Sequence, residues 1–247
     1  MQVQGKIALI TGAAHRVGKA IALKLAQHGA HIGLNYHHSV EAAQATQSEL
    51  RALGVEVLLL PADVSDAVAV ENMVAQAMSH FGQIDILVNN AASFQRALFL
   101  NMSLSQWDEV LGLNLRGPFI CAKAVAPHML KLTEGTIINL TDLSGVVPTR
   151  GRVAHSVAKA GLISLTEALA IELRPTIRVN GIAPGPVLAP TQASEAVKAR
   201  KAERTLLKRW GEANHVAQTV LFLVENDYIT GEIIRVDGGE LLAWRDI

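Results

Sequence analysis

The sequence predicts an α/β fold: one doubly wound parallel sheet of about seven strands with helices on both faces. Short, β-rich apolar runs alternate with longer amphipathic segments along the chain, the pattern of strands joined by crossover helices. The runs are almost continuously apolar rather than alternating, so both faces of the sheet must be covered. At 247 residues, half of them hydrophobic, the chain can bury one large core, and a single domain over 1–247 is the economical reading.

Strand-like runs fall at 7–10, 30–35, 55–60, 84–88, 136–140, 177–182 and 233–236. Between them, 18–28, 40–53, 66–81, 104–132, 155–173 and 214–224 carry helical spacing. Right-handed crossovers then wind the sheet on both sides. Residues 183–210 open on a Pro/Gly cluster and turn basic and polar, which breaks the rhythm. A substrate lid is expected over 188–210. The apolar tail 241–244 is expected to pack on another subunit or to reach a neighbour's active site.

Composition narrows the function classes. Lys plus Arg equals Asp plus Glu at 22 each, so no bulk charge draws the chain to nucleic acid or anionic lipid. A small-molecule substrate is expected, with no nucleic acid and no membrane as partner. Cys121 is the only cysteine, which excludes an internal disulfide and fits a reducing, cytoplasmic setting. The opening MQVQGKIALITG lacks a signal-peptide pattern. Nine histidines are present, but none has the spacing of a known metal site, and His37 and His38 are expected to diverge as strand neighbours. Asp66 and Asp85 read as ordinary residues at element ends.

The first strand runs straight into Thr11-Gly12-Ala13-Ala14-His15-Arg16-Val17-Gly18 and then a helix. A strand, a glycine turn and a helix N-terminus aim free N–H groups at a phosphate. Gly12 permits the turn, Gly18 permits close packing, and Val17 beside it is a further cofactor-binding candidate. Folds that select NAD place an acid about 20 residues on, to bind the ribose 2′-hydroxyl. Here no Asp or Glu occurs before Glu41, and the second strand ends Asn35-Tyr36-His37-His38-Ser39. Arg16, His37 and Ser39 suit a 2′-phosphate, so NADP(H) is the expected cofactor. The plainer alternative makes Arg16 and the His pair solvated surface residues.

Further residues occur in a telling order: Asp63-Val64, Asn89-Asn90-Ala91, Asn114, Asn139, Lys159, Arg178-Val179-Asn180, Pro184-Gly185 and Val236-Asp237-Gly238-Gly239. Together with the turn, this set resembles the short-chain dehydrogenase/reductases over essentially the whole chain. The resemblance implies that Asp63 and Val64 flank the adenine, that Asn89 and Ala91 lie along the cofactor, and that Pro184, Gly185 and Val187 line its nicotinamide side. It also implies a homotetramer built through two long helices and the C-terminal strand. In finer detail, TGAAHR, the NYHHS strand end, Asn90 to Phe94 and Asp142 resemble the pteridine reductases. That likeness implies that Phe94 stacks a flat heterocycle, although Phe94 can equally be core packing.

The resemblance implies Asn114, Asp142, His155 and Lys159 as the catalytic positions, with Asp142 standing for the family's serine and His155 for its tyrosine. A spacing of four puts His155 and Lys159 on one helix face. A phenol and an imidazole differ by roughly 4.8 kcal/mol in proton affinity, so histidine cannot copy tyrosine. Lys159 disfavours an imidazolium and Asp142 favours it, and the sequence leaves open which lies closer. Phe94, Asp142 and His155 form the expected substrate contact. The reading is an NADPH-dependent reductase of a small C=N or C=O substrate, pteridine-like in preference. The alternatives are an NADP(H)-binding sensor or interaction module with little turnover, and a general 3-oxoacyl or ketone reductase.

Overall fold

The computed structural model describes residues 1–189 and 193–244. The strands β1 (Ile7–Ile10), β2 (His31–Tyr36), β3 (Val57–Pro61), β4 (Ile86–Asn89), β5 (Gly135–Leu140), β6 (Ile177–Pro184) and β7 (Ile233–Val236) form one sheet. Its order is β3-β2-β1-β4-β5-β6-β7 and every pairing is parallel. The order reverses between β1 and β4, where Ile10 faces Leu34 on one side and Val88 on the other. Open α/β sheets bind ligands in the crevice at such a switch point.

Alternate residues of each strand feed two cores. Ala8 and Ile10 pack with Ile21 and Leu25 of α1 (Arg16–Gln27), Leu50 of α2 (Val40–Arg51) and Val220 of α8 (Ala213–Glu225). Leu9, between them, points the other way, to Met73 of α3 (Ala67–Phe81) and Val125 of α5 (Gly117–Met129). That two-residue period explains why the runs read as uniformly apolar. Asp66 caps α3 by accepting from the Val68 and Ala69 amides, and Asp85 holds the Ile7 amide at 2.8 Å. Both fill the structural parts expected of them.

Three differences from the expected elements have local causes. The segment 104–132 is not one helix. α4 (Leu104–Leu111) passes through a π-helical turn, Gly112–Arg116, into α5, and ends earlier, at Met129. The Asn114 side chain donates to the Val110 carbonyl at 2.9 Å, taking an acceptor from the backbone ladder, and such π-turns recur at functional sites. The basic segment holds a further helix, α7 (Glu195–Glu203), capped by the Ser194 side chain. Residues 190–192 of the expected lid lie outside the described region. The tail folds as α9 (Glu240–Ala243), with Leu241 buried against Leu143 and Ala183 of its own chain and Leu242 left exposed. Among the described residues, no helix is long and apolar enough to cross a membrane.

Candidate active site

At the carboxyl edge of β1, β2 and β3 lies a cleft of about 890 Å³ lined by Gly12, Arg16, Val17, Gly18, His37, Ser39, Asp63, Val64 and Ala91. The glycine turn is held from three sides. The Asn35 Oδ1 accepts from the Gly12 amide at 3.1 Å, the Thr11 hydroxyl accepts from the Asn90 and Ala91 amides, and the Asn90 Nδ2 donates to the Thr11 and Gly12 carbonyls. Gly12 has φ of 61°, a conformation that favours glycine. A Cβ at Gly18 would stand 2.4 Å from the Gly12 carbonyl oxygen, so no side chain fits there. The cap residue of α1, His15, offers no side-chain acceptor to the helix, which leaves first-turn amides for a phosphate. This cradle fits the pyrophosphate of a dinucleotide.

At the far end of the cleft the His37 and His38 rings do not diverge; they stack at 3.5 Å. β2 ends at Tyr36, so both imidazoles sit on the bend beyond it, where strand alternation no longer applies. Burial raises the Asp63 pKa, but hydrogen bonds from Ser65 and the nearby His37 and His38 outweigh it and hold the carboxyl below its ordinary value. Arg16, at φ of 55°, has no carboxylate partner among the described residues and reaches the Leu188 carbonyl at 3.4 Å. It thereby links the turn to the segment after β6. Pro184 ends β6, and Gly185 packs so tightly on β7 that a Cβ would meet Asp237 at 2.7 Å. Val187 is buried in the core beneath α8. Asn89 differs from expectation. Its Nδ2 donates to Asn139 at 2.9 Å in the interior, while Ala91 lines the cleft.

Residues 91–94 lead from the cleft to a second cluster. The Ser93 carbonyl accepts from the Asn114 Nδ2 at 3.1 Å, and Phe94, 51% exposed, meets the His155 ring edge-on at 5.2 Å. His155 is 5% exposed, near the start of α6 (Val153–Glu172). Its Nε2 stands 3.8 Å from the Asp142 Oδ2. That is beyond hydrogen-bond reach, so the pull between them is electrostatic. Lys159 turns aside and donates to the Leu140 carbonyl at 2.6 Å, and the contact between His155 and an ionisable neighbour is the one with Asp142.

Burial raises the Asp142 pKa, yet His155 and the Ser144 amide, which donates to Oδ1 at 2.7 Å, bring it down to about 2, so the carboxylate is ionised at neutral pH. Burial pushes the Lys159 ammonium down to about 8, and Asp142 offsets only part of that. Sequence reasoning missed the residues that build this geometry. Asn35 and Thr11 support the turn, and Gly145, where a Cβ would stand 2.7 Å from the Lys159 backbone, lets the loop carrying Asp142 lie against α6. A buried Asn inside the apolar run HIGLNY was the available signal.

The family profile described as Enoyl-(Acyl carrier protein) reductase matches residues 12–240. The 3-oxoacyl-(acyl-carrier-protein) reductase FabG of Staphylococcus epidermidis is 40% identical over 239 residues, covering 95% of this chain and 98% of that one. The 3-oxoacyl-(acyl-carrier-protein) reductase of a Synechocystis species is 39% identical over 242 residues, covering 96% and 97%. Among solved structures, a short-chain dehydrogenase from Burkholderia cenocepacia in complex with NADP superposes with a TM-score of 0.90 at 35% identity, covering 97% and 99%. The narrower likeness to pteridine reductases finds no support among these relatives. Its motifs lie largely in the cofactor turn, whose shape answers to a phosphate and says little about the substrate. The chain belongs to the short-chain dehydrogenase/reductases, a family of nicotinamide-dependent oxidoreductases.

Proposed function

We propose that the protein is an NADP(H)-dependent reductase of a small oxo substrate, 3-oxoacyl or ketone in class, with His155 as proton donor. The observation that carries this reading is the buried His155 Nε2 facing an ionised Asp142 at 3.8 Å. The full-length likeness to 3-oxoacyl reductases supports the substrate class. NADP(H) is favoured by Arg16, His37 and Ser39 around the cleft and by the lack of an acid at the end of β2.

When bound, the nicotinamide supplies the hydride. Gly12, Val17 and Gly18 hold the pyrophosphate, and Arg16 with Ser39 takes the 2′-phosphate. Asp63 and Val64 border the adenine. The Asp142 carboxylate orients His155 and offsets the charge on its ring, while Nε2 gives its proton to the oxygen of the reduced carbonyl. The Asn114 Oδ1, buried with no partner among the described residues, can accept from a water that reprotonates His155. Lys159, whose ammonium burial brings down to a pKa of about 8, serves on the nicotinamide-ribose side, and Phe94 walls the substrate. Within the segment after β6, α7 (Glu195–Glu203) would cover the substrate as a lid, with the Arg16 to Leu188 contact at the base of that segment. Assembly as a homotetramer would cover apolar side chains left exposed on α5 and α8, Phe119 and Phe222 among them.

The test is to incubate the protein with NADPH and a 3-oxoacyl thioester, following loss of NADPH and formation of product. Stoichiometric 3-hydroxy product is expected. Tight NADPH binding without oxidation across a range of ketones and 3-oxoacyl thioesters would instead favour a sensor.

A further inference from the structure

Beside the reacting cluster, two loops are tied together. Ala97 and Arg152 form a parallel bridge, and the Ala97 amide donates to the Gly151 carbonyl at 3.2 Å. The tie brings Arg96 and Arg150 together on a hollow of about 310 Å³ lined by Arg96, Ala97, Leu98, Arg150 and Gly151, and Arg152 follows Gly151 between that hollow and Phe94. Among the described residues, none of the three guanidiniums has a carboxylate within salt-bridge distance. Arg96 and Arg150 are exposed and Arg152 is half-buried, and like charges carried on two tied loops favour an anion between them. The Arg152 guanidinium lies over the Phe94 ring at 4.7 Å, and that ring touches His155.

We propose that Arg96, Arg150 and Arg152 form a subsite for an anionic group, a carboxylate or phosphate, carried on the substrate away from its reacting carbonyl. The inference rests on the reading of His155 as the reacting centre. Two side-chain contacts in series, 4.7 and 5.2 Å, bound the distance from Arg152 to the imidazole. A substrate spans it with a chain of up to about eight bonds, at roughly 1.2 Å per extended bond. The forked donors of arginine match both oxyanions. A hollow of about 310 Å³ takes one such group, and an acidic protein surface over the same arginines is the alternative that the test separates.

The test is calorimetric binding of hexanoate, hexyl phosphate and neutral hexanamide, with and without NADPH. The anions are expected to bind about tenfold tighter than the amide, as for a charge-assisted contact near the surface. The R96Q/R150Q variant should erase that preference, and R96K/R150K should keep part of it. Whether hexanoate or hexyl phosphate binds tighter tells which oxyanion the subsite is built for. Equal binding of anion and amide by the parent, or an undiminished preference in R96Q/R150Q, overturns the subsite. If R96Q/R150Q instead slows reduction of a carrier-protein-bound 3-oxoacyl group while the preference for hexanoate persists, the arginines serve an acidic protein. Binding needs no turnover, so a failed reductase assay and a failed subsite give different results.

Discussion

The two halves of the site are built differently. Around Gly12 the supporting side chains are engaged and only the first-turn amides of α1 stay open: Asn35 bonds the turn and the Leu60 and Ala62 carbonyls, and Thr46 donates to the Ala14 carbonyl. Around His155 the reverse holds. Asn114 Oδ1, Ser144 Oγ, Thr149 Oγ1, His155 Nδ1 and Ser156 Oγ are buried with no protein partner among the described residues. A buried polar atom left unpaired costs about 1 to 3 kcal/mol, so the second half is completed only by water or substrate. The first half is a finished mould; the second is a set of groups waiting for a ligand.

Substitutions can break or sharpen this contrast. The largest effect belongs to the mould. Gly18→Val forces a side chain against the Gly12 carbonyl, so unfolding stability should fall by more than about 3 kcal/mol in a denaturant melt, with NADPH binding lost. Arg16→Gln spares the turn and removes one charge. The NADPH Kd should rise about 10- to 100-fold, with NADH affinity within about twofold, by fluorescence titration. An equal effect on both cofactors would refute the 2′-phosphate role.

In the unfinished half, Lys159→Met should stabilise the apoprotein at pH 7 by about 1 to 2 kcal/mol, because a buried ammonium disappears although the Leu140 carbonyl loses its donor. The Lys159 pKa falls from 10.5 unfolded to about 8 folded. The unfolded chain therefore binds more protons between those values, and parent stability rises with pH across that window. The advantage of the variant should shrink over the same range. Asp142→Asn has the smallest effect. The carboxyl sits at about 2 in the fold against 3.8 ordinarily, so its contribution is complete above about pH 4 and lost as pH falls through 2. Acid melts of the variant should lack that fall, of about 1 kcal/mol after solvent screening.

The same contrast explains what the sequence made legible. Gly12 and Gly18 are demanded by backbone geometry, so the turn, the seven parallel strands and the cleft could be read from residue types and spacing. The π-turn at Asn114 could not, because it depends on a side chain that competes with the helix ladder in three dimensions. Nor could the pairing of His155 with Asp142 over Lys159, which depends on Lys159 finding the Leu140 carbonyl. The heterocycle preference failed for a related reason: Asp142 and Phe94 constrain the chemistry near a substrate but do not name it.

Single-turnover NADPH oxidation by His155→Phe, at saturating cofactor and 3-oxo substrate, tests the proton-donor role most directly. Phenylalanine keeps an aromatic ring there and removes the ionisable proton. The rate should drop by about 10² to 10⁴ while the NADPH Kd stays within about twofold. An unchanged rate would contradict His155 as the donor and leave Asp142 without a partner in the chemistry.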